Sequence, residues 1–462
     1  MKSGKVFAGV LLGFVLTVSC AGIPVKGVEV NPVLGPQSTM ARGELRVLVA
    51  AVRFPDVEPT LSLEQIQRRA VTELDRYVRE QSYGAAWLKA DFRGWARLPD
   101  SLSDYKVSPY NFQVDRNRVR KLVEDTMTSL EREVDFSRYD HILIIPGART
   151  TPGKGYGMLC YCANPGMLTG TRRNPDYVTL RSKGGKEFSG GVFMGAENAT
   201  LGMFAHDFFH ALGGVHGNKR LVPCLYDYER QSDASRDPSP EHHAIYMGPW
   251  DIMSEHFVKR DKFPPGISSF TKIRLGWISP QQVLLVKPGE TAYTFLSPLA
   301  RKGSALAVKI PLKGGLYYLV ENRQTVGFDE ILPDSGLLVL KVNPDAQEGS
   351  GTVQVMDANP GASHFAQATY RLDGSRRNVF LDKKNNLAII PLWLQEGNTG
   401  VLVTSPERSS EALDAASKIQ RLLDRFPKPR SKEKDQAVEE SLESFRRFDF
   451  RQAAQRSQKG ME

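Results

Sequence analysis

Cysteine is scarce in this chain: four residues in 462, too few to staple a disulfide-rich fold. One of them, Cys20, ends the N-terminal apolar segment, which leaves Cys160, Cys162 and Cys224. Cysteines two apart rarely bond each other. Two readings stay open: a bridge from one of the pair to Cys224 with an odd thiol over, and a cysteine–zinc site, for which no CxxC spacing argues. Long apolar runs are also missing. Beyond the N-terminal segment no stretch is long and apolar enough to span a bilayer. No nucleic-acid module accompanies the net charge of +9. The basic residues gather near Arg42 to Arg79, at Arg116 to Lys121 and toward the C-terminus, a solvated surface rather than a nucleic-acid face, so nucleic acid is not an expected partner. No internal repeat is present. No EF-hand loop organises the acidic groups Asp135, Asp140 and Asp329, and no calcium site is assigned to them.

The N-terminus carries a compartment signal. Lys2 and Lys5 precede an apolar stretch from Val6 to Val18, then Ser19, Cys20, Ala21 and Gly22. A positive start, a short apolar core and small residues predict an export signal over residues 1–20. Leu16 to Cys20 is similar to a bacterial lipoprotein box, with lipid on Cys20. Cleavage after Ala21 is the alternative. Either predicts an exported protein, extracellular or in the cell envelope, with membrane attachment only through lipid at Cys20.

Residues 21–42, with Pro24, Pro32 and Pro36, read as a linker. Leu45 to Val52 is a buried-strand pattern, Leu63 to Gln81 a helix with Ser62 as N-cap, Arg118 to Glu133 a second helix and His141 to Pro146 a second buried strand. That order predicts an α/β layer over residues 43–280. From residue 281 to 405 short alternating strands broken by Gly, Pro, Asp and Asn predict an all-β domain. Residues 406–462 read as a charged helical tail, solvated or weakly packed.

The chain has only eight histidines, and three of them fall in one short segment, HDFFHALGGVH from His206 to His216. His206 and His210 are one helical turn apart on one face. Gly213 is placed to end the helix in a left-handed turn and bring His216 back to the same point. Three neutral imidazoles plus a water make an open tetrahedral site, the arrangement of catalytic zinc, so one Zn2+ per chain is expected. Met253, in the turn Trp250-Asp251-Ile252-Met253-Ser254, is a candidate apolar floor for the site, although methionine packs freely in cores.

These motifs resemble the immune inhibitor A-like family of secreted bacterial metallopeptidases, within the metzincin clan. The likeness includes Val52-Arg53-Phe54-Pro55-Asp56, Glu80-Gln81-Ser82-Tyr83-Gly84, Val134 to Asp140, the histidine helix, Leu225-Tyr226-Asp227 and the Met253 turn. It continues through Lys272-Ile273-Arg274-Leu275-Gly276-Trp277, Tyr318 to Arg323 and Leu332 to Leu338, covering about three quarters of the chain in order. The resemblance implies a metzincin-like catalytic domain of α/β (α+β) class, a zinc endopeptidase activity on proteins or peptides, and His206, His210 and His216 as ligands. It implies that Met253 forms the clan's methionine turn. It also implies an edge strand, Gly191 to Met194, that pairs with extended substrate. The family's long pro-segment has no counterpart between Cys20 and Leu45.

Asp207 departs from the family pattern, which has glutamate after the first histidine as general base on the zinc-bound water. Aspartate keeps the charge but is about 1.5 Å shorter, and a misplacement of about 1 Å can cost on the order of a hundredfold in rate. Three readings follow: a slow or specialised peptidase with Asp207 as base, a pseudopeptidase that keeps zinc and binds peptides or surface partners, and a structural zinc with the function in the β domain. Tyr226 is a candidate oxyanion donor, with simple packing as the alternative. Glu255 and His256 follow the Met253 turn and have two readings: a place near the metal, or, more simply, a solvated loop.

Overall fold

The computed structural model describes residues 27–150, 156–233, 239–256, 262–374 and 378–462. The export signal and Cys20 lie outside the described residues. Val47 to Val52 is apolar at every position, the pattern of a strand covered on both faces. It is an inner strand of a five-stranded sheet. Its strands in chain order are β1 (Gly43–Arg53), β2 (Ala86–Arg97), β3 (His141–Pro146), β4 (Cys160–Asn164) and β5 (Gly191–Gly195), and the spatial order is β2-β1-β3-β5-β4. The first four in space run parallel; β4 is antiparallel to β5 and forms the edge. The edge strand is therefore Cys160–Asn164. Gly191–Gly195, expected at the edge, lies one strand inside it, because each of its sides already pairs with a neighbour.

Helices cover both faces. Ser62 closes a capping box on a helical stretch that runs from Leu63 to Gln81 with one π-helical segment inside it. This stretch and the histidine helix Leu201–Gly213 pack on one face, while Arg116–Leu130 packs on the other. Residues 28–38 are not a linker. Val28–Asn31 and Gly35–Ser38 form a hairpin whose Ser38 hydroxyl donates to the Leu212 carbonyl and whose Gln37 amide donates to that of Ile273. The isolated prolines hid this pairing.

The β region is a sandwich. A five-stranded sheet built around Tyr317–Arg323 and Gly336–Val342 faces a four-stranded sheet built around Leu387–Gln395 and Asn398–Thr404. Strand alternation divides the five-stranded sheet between two cores: Tyr318, Val320, Leu337 and Val339 face the other sheet, whereas Leu319, Leu338, Leu340 and Val342 join the core that includes Trp250, Met253 and Phe270. The α/β and β regions thus share apolar packing.

The C-terminal segment is no solvated tail. Helices Pro406–Arg425, Lys432–Arg446 and Phe450–Met461 bury Ala412, Ala416, Ile419, Phe445 and Phe450 against Ile390, Leu392, Trp393 and Leu402 of the four-stranded sheet. Their apolar stripes are narrow and rich in alanine, and the charge on their outer faces hides them in the composition. Among the described residues no helix is long and apolar enough to cross a membrane.

Candidate metal centre

Thr200 caps the histidine helix by accepting the Met203 N–H, and every helical residue from Leu201 to Gly213 is buried. His206 and His210, one turn apart, bring their Nε2 atoms to 3.0 Å. Each ring is oriented from behind by a main-chain carbonyl: His206 Nδ1 meets Ile252 O at 3.0 Å and His210 Nδ1 meets Val222 O at 2.6 Å. Donation from Nδ1 leaves each Nε2 as a bare lone pair, and two such lone pairs now face each other. A cation between them removes that repulsion.

The third atom at this point is Cys224 Sγ, 3.4 Å from His206 Nε2 and 3.3 Å from His210 Nε2. His206, His210 and Cys224 form a buried group that can hold a metal ion, the one such group of three or more ligands among the described residues. His216, the expected third ligand, stands elsewhere. Gly213 is the last helical residue, and the turn falls on Gly214 at φ 71°. Val215–His216 then pairs with Lys219–Arg220 through a tight turn in which Gly217 and Asn218 both have positive φ. The hairpin carries His216 to a separate cleft beside Lys219, Arg274 and Pro344, and its return strand carries Val222 and Cys224 back past the helix. A side chain on Gly213 would meet Val222 Cβ at 3.0 Å, so glycine there permits the approach that lets Val222 O reach His210. No disulfide takes part: Cys160, Cys162 and Cys224 are all free thiols.

The turn Asp251 to Ser254 supports the centre through its backbone. Ile252 O holds His206, and Met253 O accepts the Leu225 N–H next to Cys224. Asp251 fixes the turn by accepting from the Met253 N–H at 2.8 Å and from Ser268 and Thr271. From the β region, Arg323 donates to Trp250 O at 2.8 Å while Glu321 and Asp329 neutralise it. Met253 is fully buried in the shared core.

The group opens into a cavity of about 370 Å³, lined mainly by apolar and aromatic side chains including Met158, Leu159, Met203 and Tyr226. Asp207 lines it as well. Burial pushes its carboxyl up to about 7, against hydrogen bonds from the Cys160 thiol and the Cys162 backbone N–H of the edge strand. Burial pushes His206 down to about 3 and His210 well below its ordinary value, so both rings are neutral at pH 7, as ligands must be. Burial also raises the Cys224 thiol, and the Glu348 carboxylate adds to the effect. Tyr226 stacks 6.0 Å from His206 and receives a hydrogen bond from Asn111. His256 is not in a solvated loop but takes the alternative place near the ligands, buried with its ring 4.0 Å from that of His206, and Glu255 bonds His364 Nε2 at 2.6 Å. Asp135, Asp140 and Asp329 each serve a local partner: Ser137, Arg46 and Arg323.

No family model matches the chain, and no curated protein matches it. Cys224, Arg220 and Glu348 were the site residues hidden from motif reading. The signal for Cys224 was a lone unpaired cysteine soon after a histidine pair, at no recognised spacing.

Proposed function

We propose that the chain is an exported zinc-dependent endopeptidase of the metzincin type, related to the immune inhibitor A-like family, with His206, His210 and Cys224 as ligands. The observation that carries this reading is the convergence of two carbonyl-oriented imidazoles and one thiol on a single buried point at a cavity wall. A tetrahedral zinc with bonds of about 2.0 to 2.3 Å has ligand edges of about 3.3 Å between nitrogens and about 3.6 Å between nitrogen and sulfur. The 3.0, 3.3 and 3.4 Å separations of the ligand atoms approach those edges. When bound, zinc supplies a Lewis acid that polarises a carbonyl and lowers the pKa of a water.

The residues supply the rest. Asp207, beside the ligands in the same cavity, accepts a proton from the attacking water and returns it to the departing amine. Cys160, Tyr161 and Cys162 of the edge strand line the same cavity, which puts that strand beside an extended peptide bound there. One observation favours the second reading, a zinc-bearing pseudopeptidase: the buried residue beside the first ligand is aspartate, about 1.5 Å shorter than glutamate. Hydrolysis of casein and a peptide library by the purified protein decides between them. The peptidase reading expects cleavage that a chelator abolishes and that Asp207→Asn lowers by about 10²- to 10⁴-fold. An inactive wild-type protein with activity gained in Asp207→Glu would establish the pseudopeptidase instead.

A further inference from the structure

One carboxylate ties the β region to the ligand group. Glu348 lies in the loop between Gly336–Val342 and Val353–Val355 and is buried. Its Oε1 accepts the Cys224 backbone N–H at 2.9 Å and the Tyr228 hydroxyl at 2.8 Å. The same carboxylate grips Arg220 in two-pronged fashion, through Nε at 3.0 Å and through Nη2. Arg220, also buried, holds its Nη2 3.9 Å from Cys224 Sγ. A cationic guanidinium at that distance repels a metal cation brought to the ligand point. Pairing with Glu348 offsets that repulsion. The bond to the Cys224 N–H also fixes the backbone from which the sulfur projects.

We propose that Glu348 is a positioning residue of the metal centre, holding the Cys224 backbone and Arg220 so that the sulfur is directed to His206 and His210. The inference rests on the metal-site reading above. It makes the β region part of the centre: among the described residues Glu348 is the carboxylate that pairs with Arg220, which otherwise meets the Tyr228 hydroxyl and the Cys224 sulfur, and it is the acceptor for the Cys224 amide.

The full-length protein and its Glu348→Gln and Glu348→Asp variants can be titrated with Co2+ and with Zn2+. The readouts are the dissociation constant and the thiolate-to-cobalt charge-transfer absorption. Glu348→Gln keeps the shape and removes the charge. It should bind both ions about 10- to 100-fold more weakly, with an altered thiolate band and an unchanged circular dichroism spectrum of the metal-free protein. Glu348→Asp restores the charge with a shorter reach and should recover part of the affinity. Wild-type affinity and band in folded Glu348→Gln would overturn the proposal and leave the metal site standing. If Glu348→Gln does not fold, Glu348→Asp decides: weaker binding supports the proposal, and wild-type binding overturns it. A wild-type protein that takes up neither ion overturns the metal reading and this inference together.

Discussion

Asp207 is separated from glutamate by one methylene, yet that methylene governs where a proton can be delivered. The carboxyl lines the cavity together with Cys160 and Cys162 of the edge strand, and burial keeps its pKa near neutrality at about 7. A pKa there suits a group that takes and gives a proton around pH 7. Asp207→Glu moves the carboxyl by about 1.5 Å; the peptidase reading expects the rate to fall if the backbone is set for aspartate, and peptide assays of the two proteins measure this. Histidines at positions 206 and 210 were legible because a helix repeats every 3.6 residues and four-residue spacing has one geometric meaning. The third ligand was not. Its place depends on where the chain goes after Gly214, and a two-residue hairpin turn at Gly217-Asn218 sends His216 away and returns Cys224. Glu348 was further out of reach, because only the folded chain brings it beside Cys224.

At the scale of elements, the strands of the main sheet were readable where both faces are buried and unreadable where pattern gave way to pairing. β3 appears as a continuous apolar run preceded by His141, whereas Gly191–Gly195 and Cys160–Asn164 differ only in which one is last in the sheet. His141 has a consequence for the stability of the sheet. It is buried beside Phe208, and burial pushes its pKa from 6.5 down to about 4. The unfolded chain therefore takes up the proton first as pH falls. The contribution of neutral His141 is complete above about pH 6.5 and is lost progressively toward pH 4. His206, His210, His243 and His256 shift in the same direction. His141→Phe keeps an aromatic ring and removes one titration, so its melting temperature should fall less between pH 7 and pH 5 than that of the wild-type protein. Equal falls would show that this imidazole is not held neutral by the fold.

For the whole molecule, the regions expected as separate units are joined by packing. One face of the five-stranded sheet belongs to the core that supports Met253, and Arg323 and Glu348 reach across to the Met253 turn and to Cys224. The C-terminal helices complete the other side of the sandwich, with Phe445 centred 5.0 Å from Trp393. Phe445→Ala should destabilise the protein by about 3 to 5 kcal/mol, the range for removing a buried aromatic side chain. A solvated tail would lose less than about 0.5 kcal/mol, so denaturant unfolding separates the two. Composition concealed this layer because alanine stripes and charged outer faces read alike in solvated and packed helices.

In the proposed centre Cys224, not His216, completes the metal site with His206 and His210. Metal content of the protein purified without chelator, measured side by side in wild type, Cys224→Ala and His216→Ala, tests it most directly. The account predicts one zinc per chain in the wild type and in His216→Ala, and none retained in Cys224→Ala. Zinc lost from His216→Ala but kept by Cys224→Ala would contradict it.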